Sequence, residues 1–428
     1  MCFKKSYVIN RYFSTMKSIL TLFALAAALQ LTAQVFTQKA DFPQPLERSF
    51  SFALDGKIYA GTGRDETGKM NNHIWQFDPA TNIWTQKGNF PTIPFRNGIA
   101  MVIDGTAYAG MGWDGGANNL FVWYKYDAAT DTWTAKKPIT ANVGTASGIF
   151  SLNGKGYTVC GSGQVTAEQN EVWEYDPATD VWTQKNNFPG AARDFTFAVA
   201  AGGFGFAGLG DFFLSPPFFS DMYKYDPAAD SWTAIAPIPV SATGVVAEGG
   251  CSFSAVVGGK IVLMSLFGLN SADIADFLTV YVYDIATDQW TLYPNANVAG
   301  PRITPITGQS GSKAWFGAGL TFNGVAADFY EIDMAALVVG LEEANPGFSG
   351  IKITAADGFL TTEVPAEVLQ KFAGTGLSLD LYSMNGRLLR AFPLSEKAGF
   401  DISGQPVGPL VWAVRAGNRT LKSGKIVR

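Results

Sequence analysis

Glu171-Val-Trp-Glu-Tyr-Asp-Pro-Ala-Thr-Asp-Val-Trp-Thr-Gln-Lys-Asn-Asn-Phe-Pro189 carries an aromatic-Asp pair, a Pro-bearing turn and a tryptophan six residues after the Asp. The Asp returns at Asp78, Asp127, Asp176, Asp226, Asp284 and Asp333, in steps of 49, 49, 50, 58 and 49 residues. In the first five copies the tryptophan returns with it, as Trp84, Trp133, Trp182, Trp232 and Trp290. Such a period marks a repeat architecture, one supersecondary unit stacked many times.

Each unit reads as four short strands. In the first, Ser49 to Leu54 is strand A, Asp55-Gly56 a two-residue turn that accepts positive φ, and Lys57 to Ala60 strand B, ending in Gly61-Thr62-Gly63. After a variable loop, His73 to Phe77 is strand C. Asp78-Pro79-Ala80-Thr81-Asn82 turns the chain, with the Asp side chain placed to accept from backbone amides and Pro setting φ, and Ile83 to Lys87 is strand D. The A-to-B turn recurs as Asp104-Gly105, Asn153-Gly154, Gly202-Gly203, Gly258-Gly259 and Gly311-Ser312. A four-stranded antiparallel unit of this size leaves apolar faces uncovered, so successive sheets pack face to face around an axis, the strand-D tryptophan filling the space between them. The expected fold is an all-β, six-bladed β-propeller followed by a small β-sandwich.

The repeat region, roughly residues 35 to 340, resembles the kelch family, whose blades share the order of a strand, a Gly-rich end, an aromatic-Tyr-Asp turn and a Trp. It departs from that pattern in having Gly-x-Gly at Gly61, Gly110, Gly161, Gly208 and Gly317 where kelch blades have adjacent glycines, and Phe267-Gly268-Leu269 in the fifth unit. The sixth unit ends after Asp333 with no Trp and so lacks strand D. Phe36-Thr37-Gln38-Lys39-Ala40-Asp41-Phe42-Pro43 matches Trp84-Thr85-Gln86-Lys87-Gly88-Asn89-Phe90-Pro91, so the strand beginning at Phe36 is expected to complete the last blade.

Residues 1–33 read as a secretory signal peptide, with Lys4, Lys5, Arg11 and Lys17 before the apolar run Ile19 to Leu31 and a cut after Ala33. The propeller is assigned to 34–341, a linker to 342–349 and a sandwich to 350–428, with strands at Ser378 to Tyr382, Arg387 to Phe392, Val411 to Arg415 and Gly424 to Arg428 and turns at Asn385-Gly386 and Gly399. This last segment looks like the C-terminal sorting domain of type IX secretion substrates, on Tyr382-Ser-Met-Asn-Gly386-Arg387, Asp401-Ile-Ser403-Gly404-Gln-Pro406-Val-Gly408 and Lys425-Ile-Val-Arg428; Pro409-Leu410-Val411-Trp412 departs from it. The resemblance implies an outer-membrane secretion machinery as partner and release or attachment at the cell surface.

Charge divides the chain in the same place. Residues 34–344 hold 17 basic and 30 acidic side chains, a net of −13, and residues 345–428 hold 10 and 6, a net of +4. An acidic body speaks against nonspecific nucleic-acid binding. Cys160 and Cys251 are expected as buried, unbridged thiols.

His73 is the only histidine, which removes His-rich metal sites and the two-histidine copper site known on kelch propellers, while a Ser-His-Asp triad needs its other partners at hand beside it. His73 is expected at the surface. No cofactor is implied. Asp65, Glu66, Asn71 and Asn72, or Asp114, Asn118 and Asn119, form no full Ca²⁺ loop and read as turn residues, and the Ser-x-Asp-x-Gly-x-x-Trp boxes of sialidase propellers are absent. Antiparallel order brings the D-to-A and B-to-C loops to one face, where binding is expected. There Arg48, Arg96, Arg193 and Arg302 lie 30, 31, 33 and 31 residues before their Asp. They suit a carboxylate, a sulfate or an acidic sugar, or else serve as blade-to-blade hydrogen-bond donors. Asp211-Phe-Phe-Leu-Ser-Pro-Pro-Phe-Phe-Ser220 adds Phe212, Phe213, Phe218 and Phe219, which either stack on a sugar or partner or fold over the neighbouring blade. The leading expectation is a secreted or cell-surface module binding a carbohydrate or protein. The alternative is an enzyme. Six-bladed kelch propellers include sialic acid mutarotases, and Arg48, Arg193, Asp194 and Glu248 are the groups that such chemistry would recruit.

Overall fold

The computed structural model describes residues 35–427 apart from 117–118, 140–144, 163–167, 212–218, 240–252, 265–278, 294–295, 298, 301, 322, 345–351, 357–358, 365, 372–375, 384–387, 406–408 and 417–418. The expected signal peptide, Cys251, Glu248 and the Asn385-Gly386 turn fall outside these residues.

After β1 (Phe36–Lys39), blade 1 is β2 (Phe50–Leu54), β3 (Lys57–Gly61), β4 (Ile74–Asp78) and β5 (Ile83–Lys87). Blade 2 is β6 (Ile99–Ile103), β7 (Thr106–Trp113), β8 (Asn119–Asp127) and β9 (Thr132–Lys136). Blade 3 is β10 (Gly148–Leu152), β11 (Lys155–Ser162), β12 (Glu168–Asp176) and β13 (Val181–Lys185). Blade 4 is β14 (Phe197–Ala201), β15 (Phe204–Gly208), β16 (Met222–Asp226) and β17 (Ser231–Ile235). Blade 5 is β18 (Phe253–Val257), β19 (Lys260–Met264), β20 (Val280–Asp284) and β21 (Gln289–Tyr293). Blade 6 has β22 (Ile306–Ser310) and β23 (Lys313–Gly317), a small hairpin of β24 (Leu320–Thr321) and β25 (Gly324–Val325), and β26 (Phe329–Asp333). Blades 1 to 5 pair antiparallel in chain order, inner strand to outer.

Blade 6 takes β1 as its outer strand, with Phe36 opposite Ile332 and Lys39 opposite Phe329. The ring therefore closes by the N-terminal segment, as the match of Phe36 to Trp84 predicts.

The two acids of the turn motif divide the work between local and inter-blade bonding. The first, as in Asp176, accepts from the amide two residues on, Ala178 N at 2.8 Å, and shapes its own turn. The second sits in the left-handed region, at φ 54° for Asp180, and reaches the preceding blade. Asp180 Oδ1 accepts from Tyr175 Oη at 2.8 Å and from Lys137 N, just past β9, at 3.1 Å. Trp182 Nε1 returns a bond to Lys137 O at 3.2 Å. The clasp repeats with Asp230 and Trp232 on Asn186, and with Asp288 and Trp290 on Ala236. In blade 1 it is Asn82 and Trp84 that hold Ala40, directly after β1. There the tyrosine is replaced by Phe77, so one fewer hydroxyl needs an acceptor and an amide suffices.

Asp333, the sixth copy, has no turn to open. Its Oδ1 accepts from Ala336 N at 3.0 Å and caps helix α1 (Met334–Ala344), whose Met334, Leu337 and Val338 pack into the core between blades 5 and 6. This helix runs to Ala344, into the stretch 342–349 that the end of the repeat period assigns to a linker.

The C-terminal segment is a sandwich. One sheet holds β27 (Lys352–Ala356), β28 (Phe359–Glu363) and β31 (Lys397–Asp401). The other holds β29 (Leu377–Ser383), β30 (Leu388–Pro393), β32 (Pro409–Ala416) and β33 (Arg419–Val427), and α2 (Ala366–Lys371) lies between β28 and β29 in the chain. Leu360, Leu379, Leu381, Trp412 and Val414 meet between the sheets. Gly399 lies inside β31 and makes no turn, and β27, β28 and α2 are elements the alternation did not reveal. β33 also pairs with β21, with Gln289 opposite Gly424 and Thr291 opposite Lys422, so the outer edge of blade 5 continues into the sandwich. Among the described residues no helix is long and apolar enough to cross a membrane.

Candidate anion site at the mouth of the axial channel

Two concentric rings of backbone build the face shared by the D-to-A and B-to-C loops. Among the described residues the inner ring consists of Arg48, Asn97, Ala146, Phe195 and Thr304, all left-handed, with φ between 47° and 59°. Asn97 N donates to Arg48 O at 2.9 Å, Ala146 N to Asn97 O at 3.4 Å and Phe195 N to Ala146 O at 2.8 Å, while Arg48 N donates to Thr304 Oγ1 at 2.9 Å. These residues, with Ser49 and Ser147, line a cavity of about 190 Å³ on the axis.

Among the described residues the second ring is made of bridges from the residue before each inner-ring position, to the residue after the Gly-x-Gly in four blades and to its middle residue, Ser162, in blade 3: Glu47 with Arg64, Arg96 with Trp113, Thr145 with Ser162, Asp194 with Asp211, and Ile303 with Leu320. The glycine before the bridge has no room for a side chain. A Cβ on Gly63 would stand 2.6 Å from Glu47 O, and one on Gly210 2.5 Å from Asp194 O.

This register separates the four arginines. Arg48 is on the inner ring and Arg96 on the second. Arg193 and Arg302 stand one place further out, 0% and 2% exposed. Arg193 grips Asp221 with both Nη atoms, at 2.5 and 3.0 Å, and Arg302 grips Asp328 at 2.9 Å twice. Both also donate to backbone carbonyls, Leu209 O and Ala318 O. They hold the ends of strands within their blades and are not available to a ligand, so the expectation of four guanidinium groups at one mouth is corrected to two. Counting back from the Asp fails because the intervening loops differ in length. The aromatic loop is corrected in part: the Phe219 ring lies under the Arg193 guanidinium, 3.9 Å from Cζ, as packing, and Phe212, Phe213 and Phe218 lie outside the described residues.

Arg64 joins Arg48 and Arg96. It pairs with Glu47, which is 2% exposed. The Arg96 guanidinium lies over Trp113, 4.4 Å from the ring centroid, and its Nε and Nη1 are buried with no hydrogen-bond partner. Arg48 Nε is in the same condition, while its Nη1 donates to Asn97 Oδ1 at 3.3 Å. Burial, then the charges of Arg48 and Arg64, pulls Arg96 down to about 10. Three guanidinium groups thus share one nearby carboxylate, with buried donors left over, an arrangement that favours an incoming anion. Arg64 escaped the sequence reading, although its place directly after Gly63 was the available signal.

Arg48 Cζ also lies 5.6 Å from the ring centroid of Phe195, across the axis in blade 4. The residue before Phe195 is Asp194, 3% exposed. Burial first, then the charge of Asp211, pushes its carboxyl up to about 7, against a bond from Ser162 Oγ at 2.9 Å. His73 is half-buried and its Nδ1 meets Gln44 Oε1 at 2.9 Å, so it is not a free surface residue. Cys160 is buried and unbridged, its thiol pushed up to about 12 by burial. Asp65 accepts from Thr67 and Lys69 and Asp114 from Gly116, each within its own loop.

Ring closure, blade order and the two rings of backbone define a six-bladed β-propeller with a C-terminal β-sandwich. The structure of YjhT is similar to it, with a TM-score of 0.53 at 16% identity, covering 68% of this chain and 96% of that one. No family model and no curated protein matches the chain.

Proposed function

We propose that the mouth of the axial channel takes an acidic sugar, with Arg48, Arg64 and Arg96 holding its carboxylate, and that the protein exchanges the anomers of that sugar. The observation that carries this reading is the buried, unpartnered Nε and Nη1 of Arg96 beside Arg48 Nε. The cavity is smaller than the roughly 300–1,000 Å³ of most small-molecule clefts, which suits one anionic group and part of a ring, the remainder lying over Asn97, Ser147 and Phe195. Turnover is favoured over binding alone by Asp194, an acid that burial and Asp211 push up to about 7 and that stands next in the chain to Phe195 of the cavity lining. Of the four groups named for mutarotase-like chemistry, Arg48 and Asp194 keep a place in it. Arg193 is consumed by Asp221.

Export belongs to the same proposal. Residues 350–428 would engage an outer-membrane secretion machinery, a role supported by the Tyr382, Asp401 and Lys425 motifs of the sequence, and the propeller would then work outside the cell or on its surface.

The test is titration of the purified protein with N-acetylneuraminate and with glucuronate, following binding by calorimetry and anomer exchange by NMR. Arg96→Gln is expected to weaken binding by at least about tenfold, the loss of one charge-assisted pair, with the melting temperature kept. Affinity unchanged in both Arg96→Gln and Arg48→Gln would overturn the site. Binding without exchange would leave a sugar-binding module.

A further inference from the structure

Among the described residues, Glu47 is the one carboxylate that pairs with the basic cluster. Its Oε1 accepts from Arg64 Nε and lies 3.8 Å from Arg48 Nε, and its charge, with those of Arg48 and Arg64, acts on Arg96. The side chain is 2% exposed, and its Oε2 is buried with no hydrogen-bond partner. A buried oxygen left unpaired weakens a fold, so the scaffold alone gives no reason for an acid at this position. Nor can Glu47 move aside. Its amide donates to Arg64 O at 2.9 Å and its carbonyl accepts from Arg64 N at 3.0 Å. On either side of it in the chain, Leu46 O accepts from Gly319 N at 3.0 Å and Arg48 N donates to Thr304 Oγ1 at 2.9 Å. The negative charge is a fixed part of the site, in place whenever an anion arrives.

Three guanidinium groups and one fixed carboxylate leave the cluster a net of +2. The attraction of an anion to this charge grows in proportion to the anion's own charge, whereas the cost of taking the anion out of water grows with the square. Glu47 lowers the first quantity and leaves the second unchanged, so a second negative charge on the ligand adds more cost than attraction. Resting on the acidic-sugar reading, we infer that Glu47 is a specificity-determining residue that fits the mouth to groups bearing one negative charge and turns away those bearing two. The ligand class narrows accordingly, to sugar carboxylates and away from sugar phosphates.

Calorimetry of the full chain at constant ionic strength tests this, comparing whichever of N-acetylneuraminate and glucuronate binds, each singly charged, with inorganic sulfate, which is doubly charged. The wild type is expected to prefer the sugar by at least about tenfold. Glu47→Gln has the same shape and still accepts from Arg64 Nε, and it should lose at least about tenfold of that preference by gaining affinity for sulfate. Glu47→Asp keeps the charge and should keep the preference even where both affinities fall. A wild type that binds sulfate as tightly as the sugar, or a Glu47→Gln that weakens both ligands equally, as a merely structural role requires, overturns the inference and leaves the acidic-sugar reading in place. A wild type that binds neither sugar overturns the two together. Competition on the wild type keeps the test decisive if Glu47→Gln does not fold. Methanesulfonate, close to sulfate in shape with one charge fewer, should displace the sugar better than sulfate does, and an equal or reversed order overturns the inference.

Discussion

Asp180, half-buried, and Asp194, buried, show opposite uses of an acid. Asp180 and its counterparts accept from a backbone amide of the preceding blade, so their role is adhesion between blades. Replacing Asp180 with Ala strips the acceptor from Tyr175 Oη and from Lys137 N and is expected to lower stability by about 2 kcal/mol, read as a shift of the urea midpoint; Asp180→Asn should recover part of it. Asp194 is 3% exposed and lies beside Asp211, and its effect depends on pH. An unfolded Asp titrates near 3.9, whereas in the native protein the proton is kept to about 7. The native state binds more protons between those values, so this group's contribution is complete below about pH 4 and lost as pH rises through 7. Asp194→Asn should therefore raise the melting temperature more at pH 8 than at pH 5, and an equal shift at both would contradict the assignment. Individual site residues were only partly legible in the sequence. Arg48 and Arg96 stand out there, but Arg193 and Arg302 look the same until the register shows their guanidinium groups turned onto Asp221 and Asp328. Residue type gives the chemistry, and only the loop lengths decide which partner receives it.

At the scale of elements, the sequence was more informative. The Asp-to-Trp interval marks strands C and D because the turn between them is nearly constant, while strand B to C passes through loops of variable length. The sixth blade was legible because its missing tryptophan had a counterpart at Phe36. β1 contributes a four-residue ladder to β26, buries Phe36 and supplies Ala40 to the Asn82–Trp84 clasp. Removing residues 34–41 is expected to lower the melting temperature by more than about 5 °C, since each kcal/mol is worth roughly 2–4 °C in a domain somewhat smaller than this one. An unchanged melt would show that the ring closes without this strand. The sandwich was less legible. Its strands have no repeat to average over, and β27, β28 and β31 carry Thr, Ala and Gly where a clean alternation would be needed.

For the molecule as a whole, the sandwich attaches at one outer strand, that of blade 5. β5, β9 and β13 end in Lys87, Lys136 and Lys185, charged edges that discourage further pairing. β21 instead ends in Leu292-Tyr293, has Trp290 fully buried and accepts β33. A chain ending at residue 344 should keep its ring but expose this edge. Hydrogen exchange of the Gln289–Tyr293 amides is expected to quicken while the amides of β9 and β13 keep their rates, and no change at β21 would argue against the docking. The inner ring at the channel mouth has a different bearing on the molecule. From blade 1 to blade 4 its links are peptide groups of successive blades, and only the link to blade 6 runs through a side chain, Thr304 Oγ1, so along those four blades the width of the opening is written in backbone and the residues that face it can be exchanged without loosening the rim. Descendants of this chain could change what they recognise while keeping the same aperture, much as a lock can be rekeyed without recutting the door.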